Sequence, residues 1–584
     1  MRQSLLTILL IPILLFMGAL GRLPVERALG ALGYPYQLDN VEGYLLDEAV
    51  QLSRGRNVYA AIDEPPYLVA NYPPLYQLLY AVFVDAAGPS LVFGRMICLS
   101  SLLGIALALM LICLRIGKQI LPALLCPALF VATYECHNWA AYARVDLPAL
   151  FLSFLGLTCF LAEASKAARR MAIVFFVLAA MTKQTTLAAP LACGLFLALS
   201  DRRQGARFVL AFVLWVGALT LLLGALTKGQ YLRHTILYNT NAMHWAQLRQ
   251  VWLPHLDRFY HYYLIGLILA FAFVSYRLIR PFRMPLRPES EAPEAQPDGP
   301  SHLPTEPEVE GPPTSSAAAD DRVNQDAGAG EAPAPAEEPS AKSPASDFST
   351  SQRLGLLAIY FVLAGLSIVT LAKAGSAENY LLEPLAAAAL FFSCALGRAL
   401  WESANGRRAW AATFFAALML ASAGLHCHWI YRHNGFVARL MFSRAVPTAS
   451  QRDQADRLFL TVRQANGEVL CEDPIFVVLD GRRPPINPFI LSQLAREGKW
   501  DESPFVAQIE RRGFVLVVTT ADINGGKIQE RYTPRMVEAL KRQYEIYETY
   551  DLGRDGQTYY VYRPRAGLTP HFDIARTTGQ APSV

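Results

Sequence analysis

Two acidic residues stand in the first long polar stretch of the chain, which runs over residues 22–88. Asp39 and Glu42 are three positions apart, so a helix that starts here would carry both carboxylates on one face. Such a pair can take a proton from an acceptor hydroxyl, or hold a divalent cation that neutralises a phosphate leaving group. The same pattern also fits an ordinary helix start, with Asp39 as the N-cap and solvated charges after it. Both interpretations remain open from these residues alone.

Three basic residues elsewhere in the chain could face these acids. Arg144 stands two positions before Asp146 at the start of an apolar run, where charges are costly unless they are paired or functional. Lys183 interrupts one apolar segment, and Lys373 follows another. Snorkelling to the interface explains a single lysine, and an ion pair explains Arg144 with Asp146. Three cations on the side of the acidic pair fit better with a phosphate clamp that faces a base.

The composition indicates a membrane protein. Of the 584 residues, 53% are hydrophobic and 17% are charged, whereas soluble domains carry about 25% charged residues. The charges collect between long apolar stretches, as they do between membrane spans. The basic residues form short clusters beside these stretches rather than one basic face, and this excludes nucleic acid as a partner.

Eleven apolar stretches are predicted to span the membrane. They are 4–21, 89–114, 119–134, 146–163, 171–182, 184–200, 207–226, 258–276, 353–372, 380–397 and 409–430. When the Arg and Lys clusters are placed in the cytoplasm, the spans form one alternating path that turns round at Lys183 near the outer surface. The path leaves 22–88, 135–145, 227–257 and everything after about residue 431 outside.

The predicted fold is a polytopic α-helical membrane protein of about eleven spans with a small extracytoplasmic α/β domain at its C-terminal end. Its parts are an N-terminal membrane region over 1–284, a linker over 285–350, C-terminal spans over 351–430, an α/β domain over 450–565 and a flexible tail over 566–584. The linker is predicted to be disordered and cytoplasmic, because it is rich in Pro, Ala and Glu and poor in aromatic residues. In the α/β domain, strands are predicted at Ile475–Leu479, Phe514–Thr519 and Tyr559–Tyr562, and a helix at Pro534–Tyr544.

The motifs around Asp39, Arg144, Lys183 and Lys373 resemble, in the same order, blocks of the GT-C superfamily of membrane glycosyltransferases. The resemblance lies near glycosyltransferase family 39, which holds the protein O-mannosyltransferases and the lipid A aminoarabinose transferase. It covers most of residues 1–400. It rests on the run from Asp39 through Tyr59 to Tyr72-Pro-Pro-Leu-Tyr76, on Arg144-Val-Asp146, on Thr182-Lys183-Gln184 with Pro190, and on Lys373 to Asn379-Tyr380.

The resemblance implies an inverting transfer of a sugar from a polyprenyl-phosphate donor to a lipid, glycan or protein acceptor outside the cytoplasm. It further implies a multi-pass protein of the bacterial inner membrane that contacts membrane lipid. It assigns catalytic roles to Asp39, Glu42 and Asp146, donor phosphate contacts to Lys183, Arg144 and Lys373, and substrate contacts to Tyr59, Tyr72, Asn379 and Tyr380. No cofactor is certain, and a divalent cation is one candidate. The family has an adjacent Asp-Glu pair, whereas Val41 precedes Glu42 here, so either carboxylate of the first loop could be the base.

Two other functions compete with the transferase. A transporter or flippase of a lipid-linked sugar would need charges at mid-membrane, whereas the charges here are predicted at the outer interface. A non-catalytic scaffold for envelope assembly would tolerate replacement of Asp39 and Glu42. Because these groups and Lys183 are expected at the water interface, their replacement is expected to change thermal stability little.

Overall fold

The computed structural model describes residues 2–162, 165–279, 348–405, 409–433, 447–551 and 558–566. The predicted linker over 285–350 lies outside the described residues except for its last three, and so does the predicted tail after residue 566. The helices of the membrane region are α1 (Arg2–Leu32), α2 (Glu42–Ser53), α3 (Leu75–Ala87), α4 (Leu91–Gly117), α5 (Ile120–Val131), α6 (Tyr134–Trp139), α7 (Asp146–Ala162), α8 (Lys166–Thr182), α9 (Ala188–Ser200), α10 (Arg202–Leu226), α11 (Gln230–Thr235), α12 (Trp245–Gln247), α13 (Leu253–Ile279), α14 (Thr350–Leu366), α15 (Leu382–Asn405) and α16 (Ala409–His433).

Each of the eleven predicted spans coincides with one of these helices. In the described part of the chain, seven helical segments are long and apolar enough to cross a membrane, and α5, α7 and α9 are shorter apolar helices. The predicted class, a polytopic helical membrane protein with a small C-terminal sheet, is confirmed. The number of spans stays a prediction.

The first helix is longer than the predicted span of 4–21. It continues to Leu32 through a charged stretch, in which Arg22 pairs with Glu26 one turn later at 3.0 Å between Nε and Oε1. Arg27 is buried and donates from Nη1 to Oδ1 of Asn138 at 3.1 Å. The polar segment that contains Asp39 therefore begins after Leu32, about ten residues later than the sequence predicts.

In its described residues, the C-terminal domain combines five α-helices with a four-stranded sheet. The helices are α17 (Ala449–Gln464), α18 (Ile475–Leu479), α19 (Pro488–Arg496), α20 (Ser503–Glu510) and α21 (Pro534–Gln543), and the strands are β1 (Val469–Cys471), β2 (Leu516–Thr519), β3 (Tyr544–Asp551) and β4 (Thr558–Pro564). The sheet order is β1-β2-β4-β3, with β1 parallel to β2 and the other pairs antiparallel. The strand predicted at Ile475–Leu479 is wrong, because this short apolar run forms α18 and packs against α2. An apolar run of that length cannot be assigned from its pattern alone.

The C-terminal domain packs on the polar segment after α1. Tyr67 forms a parallel bridge with Ile486, in which its N–H donates to the carbonyl oxygen of Pro485 at 2.8 Å. Trp500 donates from Nε1 to the carbonyl oxygen of Ile62 at 2.9 Å. The first polar segment is thus held between the membrane helices and this domain.

A buried histidine of α11, His234, holds the first polar segment in place. The Nδ1 atom of His234 accepts from the N–H of Ala70 at 3.0 Å, and its Nε2 lies 2.7 Å from the carbonyl oxygen of Ala60. Burial lowers the pKa of His234 from 6.5 to about 4, so the ring is neutral and its Nε2 carries the proton.

The lowered pKa of His234 predicts that the protein loses stability in acid. The unfolded chain takes up a proton near pH 6.5 and the native ring only near pH 4, so the stabilisation is complete above pH 6.5 and is lost as the pH falls to about 4. We expect the melting temperature of the purified protein to fall over this window. The His234→Gln variant should show a flatter dependence, and an equal slope in both proteins would contradict the assignment.

Candidate active site

Asp39 and Arg144 meet at the end of the membrane helices. The Nη1 atom of Arg144 lies 2.6 Å from Oδ1 of Asp39, which also accepts from the N–H of Val41 at 3.1 Å. The other carboxylate oxygen, Oδ2, has no hydrogen-bond partner among the described residues, and the Asp39 side chain is 18% exposed. Asp39 therefore keeps one oxygen available to an incoming group.

Asp146 is the buried counter-ion of the site. Its Oδ1 accepts from Nζ of Lys183 at 2.6 Å and from Nδ2 of Asn379 at 2.7 Å. Its Oδ2 lies 3.6 Å from Nε of Arg144. Because Asp146, Lys183 and Asn379 are all buried, the carboxylate is enclosed by its partners. Asp146 was predicted to be catalytic, and its surroundings favour a role in holding the two cations.

Lys373 approaches the same cluster from the segment between α14 and α15. Its Nζ donates to Oδ1 of Asn239 at 2.7 Å, and its backbone forms an antiparallel bridge with Met243. Burial and the charge of Lys183 lower the pKa of Lys373 to about 8. The Nζ atom of Lys183 lies 5.0 Å from the ring centroid of Tyr380. The three cations that the sequence predicted thus lie in one region.

Glu42 is placed differently from the sequence expectation. Its carboxylate is fully buried and forms two bonds with Arg95, from Nε at 2.9 Å and from Nη2 at 3.0 Å. It also accepts from the N–H groups of Asp39 at 3.2 Å and Ala143 at 2.7 Å. Arg95 in turn donates to three backbone carbonyl oxygens at residues 31, 34 and 36. Glu42 is enclosed and holds the backbone of Asp39 and of the residue before Arg144.

Replacement of Asp39, Glu42 or Lys183 was expected to change the stability of the protein little, because these side chains were predicted to lie at the water interface. That premise is wrong for Glu42 and Lys183, which are 0% and 8% exposed. Removing one partner of a buried ion pair leaves an uncompensated charge, which costs about 3–5 kcal/mol.

The two tyrosines of the first polar segment have different surroundings. Tyr72 lies beside the cluster, and its hydroxyl oxygen accepts from Nη2 of Arg144 at 3.5 Å. Tyr59 is buried against Tyr231 and donates its hydroxyl to the carbonyl oxygen of Tyr72 at 2.8 Å. Tyr59 was predicted to contact the substrate, and this position makes it a support for Tyr72.

Three site residues were not predicted from the sequence. Arg95 is a lone charge inside an apolar run, a signal that could have marked it. Trp139 lies 4.8 Å from the guanidinium of Arg144, measured to the ring centroid, and Asn239 holds Lys373. Nothing in their local sequence distinguishes Trp139 or Asn239, because their partners are distant in the chain.

The candidate divalent cation has no evident ligand set. Among the described residues, no three His, Cys, Asp or Glu side chains come close enough together to hold a metal ion. The guanidinium of Arg144 already lies 2.6 Å from Oδ1 of Asp39.

Comparison with known proteins gives this arrangement a context. Residues 70–291, which contain Arg144, Asp146 and Lys183, match the family model described as Glycosyltransferase family 87. The crystal structure of ArnT from Cupriavidus metallidurans in the apo state matches with a TM-score of 0.50 and 13% identity over 96% of this chain and 98% of that chain. The same protein bound to undecaprenyl phosphate matches with a TM-score of 0.47, at 13% identity and with the same coverage. No curated protein matches the chain. The predicted resemblance to the GT-C superfamily is confirmed: the chain is a multi-pass membrane glycosyltransferase with the GT-C fold, whereas the nearness to family 39 stays a prediction.

Proposed function

We propose that this glycosyltransferase moves a sugar from a polyprenyl-phosphate donor to an acceptor hydroxyl on the extracytoplasmic side of a bacterial inner membrane. The observation that carries the proposal is the group of three cations at the site: Arg144 pairs with Asp39, Lys183 pairs with Asp146, and Lys373 is held by Asn239.

The charge of the cluster suits a singly charged phosphodiester. Arg144, Lys183 and Lys373 provide three cations, and Asp39 and Asp146 provide two carboxylates that pair with Arg144 and Lys183. A sugar linked to a polyprenyl monophosphate carries one negative charge. When the sugar leaves, negative charge develops on the phosphate, and fixed cations in a poorly hydrated site stabilise it strongly.

The ends of the helices support the proposed side of the membrane. The site lies where α7 begins, α8 ends and α15 begins. Basic residues lie at the opposite ends of the same set of helices, where Arg169 of α8 donates to Gln204 of α10 at 2.8 Å and Arg398 of α15 pairs with Glu402 at 2.7 Å. Basic ends are typical of the cytoplasmic side, and they support an outer position for the site.

The reaction is one displacement at the anomeric carbon. The Oδ2 atom of Asp39 takes the proton from the acceptor hydroxyl while that oxygen forms its bond to the anomeric carbon. The bond from this carbon to the phosphate oxygen breaks, and the phosphate leaves with the electron pair towards Lys183, Arg144 and Lys373. Attack from the face opposite the phosphate inverts the configuration.

The lowered pKa of Lys373 predicts a pH dependence of donor use. The lysine is charged below about pH 8 and neutral above it, so the donor phosphate loses one cation as the pH rises. We expect kcat/KM for the donor to fall as the pH passes about 8, because kcat/KM reports the free enzyme. The Lys373→Arg variant, whose guanidinium stays charged, should keep its kcat/KM to higher pH. A wild-type value that stays constant from pH 7 to about pH 9.5 would contradict a phosphate contact for Lys373.

The proposal is tested by incubating the purified protein with a panel of polyprenyl-phosphate sugars and measuring release of the free carrier. We expect release with at least one donor, and a raised donor KM for Lys183→Ala. Arg233→Ala is the matched control, because Arg233 is an exposed cation of the loop after α10. If no donor releases carrier while the reconstituted protein moves lipid-linked sugar across vesicles, the transporter function is correct and the proposed transfer is wrong.

A further inference from the structure

The segment that carries Lys373 is paired with the loop between α11 and α12. Lys373 forms an antiparallel bridge with Met243, and the two backbone hydrogen bonds that flank this bridge measure 2.9 Å and 2.6 Å between nitrogen and oxygen. The Nδ2 atom of Asn241 donates to the carbonyl oxygen of the residue after Lys373 at 2.9 Å. Residues 239–244 and 372–376 thus hold each other, and we call this pair of segments the lysine ribbon.

The C-terminal domain covers the lysine ribbon with Phe489, the second residue of α19. A Cβ atom at position 375 would lie 2.9 Å from Cε1 of Phe489 and 3.0 Å from Cζ, so the ring lies directly against the backbone of Gly375. Gly375 also has a φ of +77°, which other residues rarely adopt. The contact therefore depends on a glycine at this position, and it places the aromatic ring two residues from Lys373.

Arg531 holds the ring of Phe489 in place. Its Cζ lies 5.5 Å from the ring centroid, a distance at which a cation is attracted to an aromatic ring. The Nε atom of Arg531 lies 3.4 Å from Oε1 of Glu472. Glu472 is buried and accepts from the N–H and the hydroxyl of Thr520 at 2.9 Å and 2.7 Å. The contacts thus run from the interior of the C-terminal domain through Arg531 and Phe489 to the lysine ribbon.

A second contact joins the same domain to the other segment of the ribbon. The Nζ atom of Lys499 donates to the carbonyl oxygen of Thr240 at 3.3 Å and to its hydroxyl oxygen at 3.2 Å. Lys499 also pairs with Glu497 at 2.6 Å, and its side chain is 30% exposed. Because polar contacts at the surface are worth little, the packed ring of Phe489 is the stronger of the two anchors.

We infer that Phe489 is a positioning residue, which holds the lysine ribbon so that Lys373 faces the donor phosphate. This inference rests on the proposed transferase function. Asn239 belongs to the same ribbon and binds Nζ of Lys373 at 2.7 Å, so a shift of the ribbon moves the cation with it. The C-terminal domain is then a part of the donor site and not a separate module.

The test is a double-mutant cycle on the donor kcat/KM, measured as carrier release by the purified full chain. We expect Phe489→Ala to lower kcat/KM by about tenfold, because a displaced cation stabilises the phosphate less well. In the Lys373→Ala background the same change should cost less than about twofold, since the cation that Phe489 positions is already absent. Phe489→Leu fills part of the space of the ring and should restore part of the loss.

The pH dependence of kcat/KM is a second readout, which a general loss of stability would not move. Burial and the charge of Lys183 lower the pKa of Lys373 to about 8. The charged groups that the C-terminal domain brings to the ribbon are Arg531 and Lys499, and each is paired with a glutamate. When the ribbon loosens in Phe489→Ala, Lys373 becomes hydrated and its pKa rises towards 10.5. We expect the fall in kcat/KM to move to higher pH in this variant.

The C-terminal domain contains a matched control for Phe489. Tyr547 of β3 also lies beside an arginine, with its ring centroid 5.4 Å from Cζ of Arg563, and it is 51% exposed. The Tyr547→Ala variant removes an aromatic ring and its arginine contact from the same domain. It should keep the wild-type kcat/KM and the wild-type pH profile.

The outcomes separate this inference from the function on which it rests. If the wild type releases no carrier from any donor, the proposed function fails and the positioning role fails with it. If the wild type releases carrier, and Phe489→Ala keeps its kcat/KM or lowers it equally with and without Lys373, the positioning role alone is wrong. If Phe489→Ala does not fold, Phe489→Leu takes its place in the cycle, and an equal loss in both backgrounds would show that the contact is only structural.

Discussion

The Asp39→Asn variant is expected to lower turnover by about a hundredfold or more, the scale of losing a general base. Asparagine keeps the shape of the side chain, and its Oδ1 can still accept from Arg144 and from the N–H of Val41. The second oxygen becomes an amide that cannot take a proton. Donor KM should change far less than kcat, because the contacts proposed for the donor phosphate are with Lys183, Arg144 and Lys373 instead.

The measurement is carrier release at saturating donor, with the melting temperature taken on the same sample. Asp63→Asn is the control, because Asp63 is an exposed acid of the same polar segment. Near-normal turnover of Asp39→Asn in a folded protein would show that another group takes the acceptor proton. A large rise in donor KM at normal kcat would instead place Asp39 at the donor.

The Glu42→Gln variant is expected to destabilise the fold by about 3–5 kcal/mol, because Arg95 would keep its charge inside the protein without a counter-ion. The Glu42 carboxylate accepts hydrogen bonds from Arg95 and from the N–H groups of Asp39 and Ala143. In glutamine, one of the two accepting oxygens is replaced by an NH₂ group, which cannot accept. We expect a markedly lower melting temperature and a lower yield of folded protein. Activity should fall mainly in proportion to the folded fraction.

Glu26→Gln provides the matched control, since its partner Arg22 and Glu26 itself are 72% and 49% exposed. An exposed pair contributes about 0–1 kcal/mol, so this variant should melt close to the wild type. If Glu42→Gln kept wild-type stability but lost turnover, Glu42 would act in the chemistry and the assignment of Asp39 as the base would need to be reversed.

The sequence by itself determined the class of the molecule and the composition of its site. Apolar stretches of span length, separated by charges, identify membrane helices because the hydrocarbon core admits little else. Lys183, Arg144 and Lys373 stood out for a similar reason, since a charge beside an apolar helix is costly unless it is used. The motifs also pointed to the superfamily. These signals are local, so they can be read along the chain.

Only the tertiary structure decided the roles of the carboxylates. Asp39 and Glu42 are equivalent in the sequence, but Arg95, 53 residues after Glu42, encloses Glu42 and leaves Asp39 with an open oxygen. Asp146 became a counter-ion because Lys183 and Asn379, distant in the chain, converge on its Oδ1. The cost of burying a charge depends on which partners surround it, and those partners come together only when the helices pack. Roles that depend on burial and pairing are therefore decided by the fold.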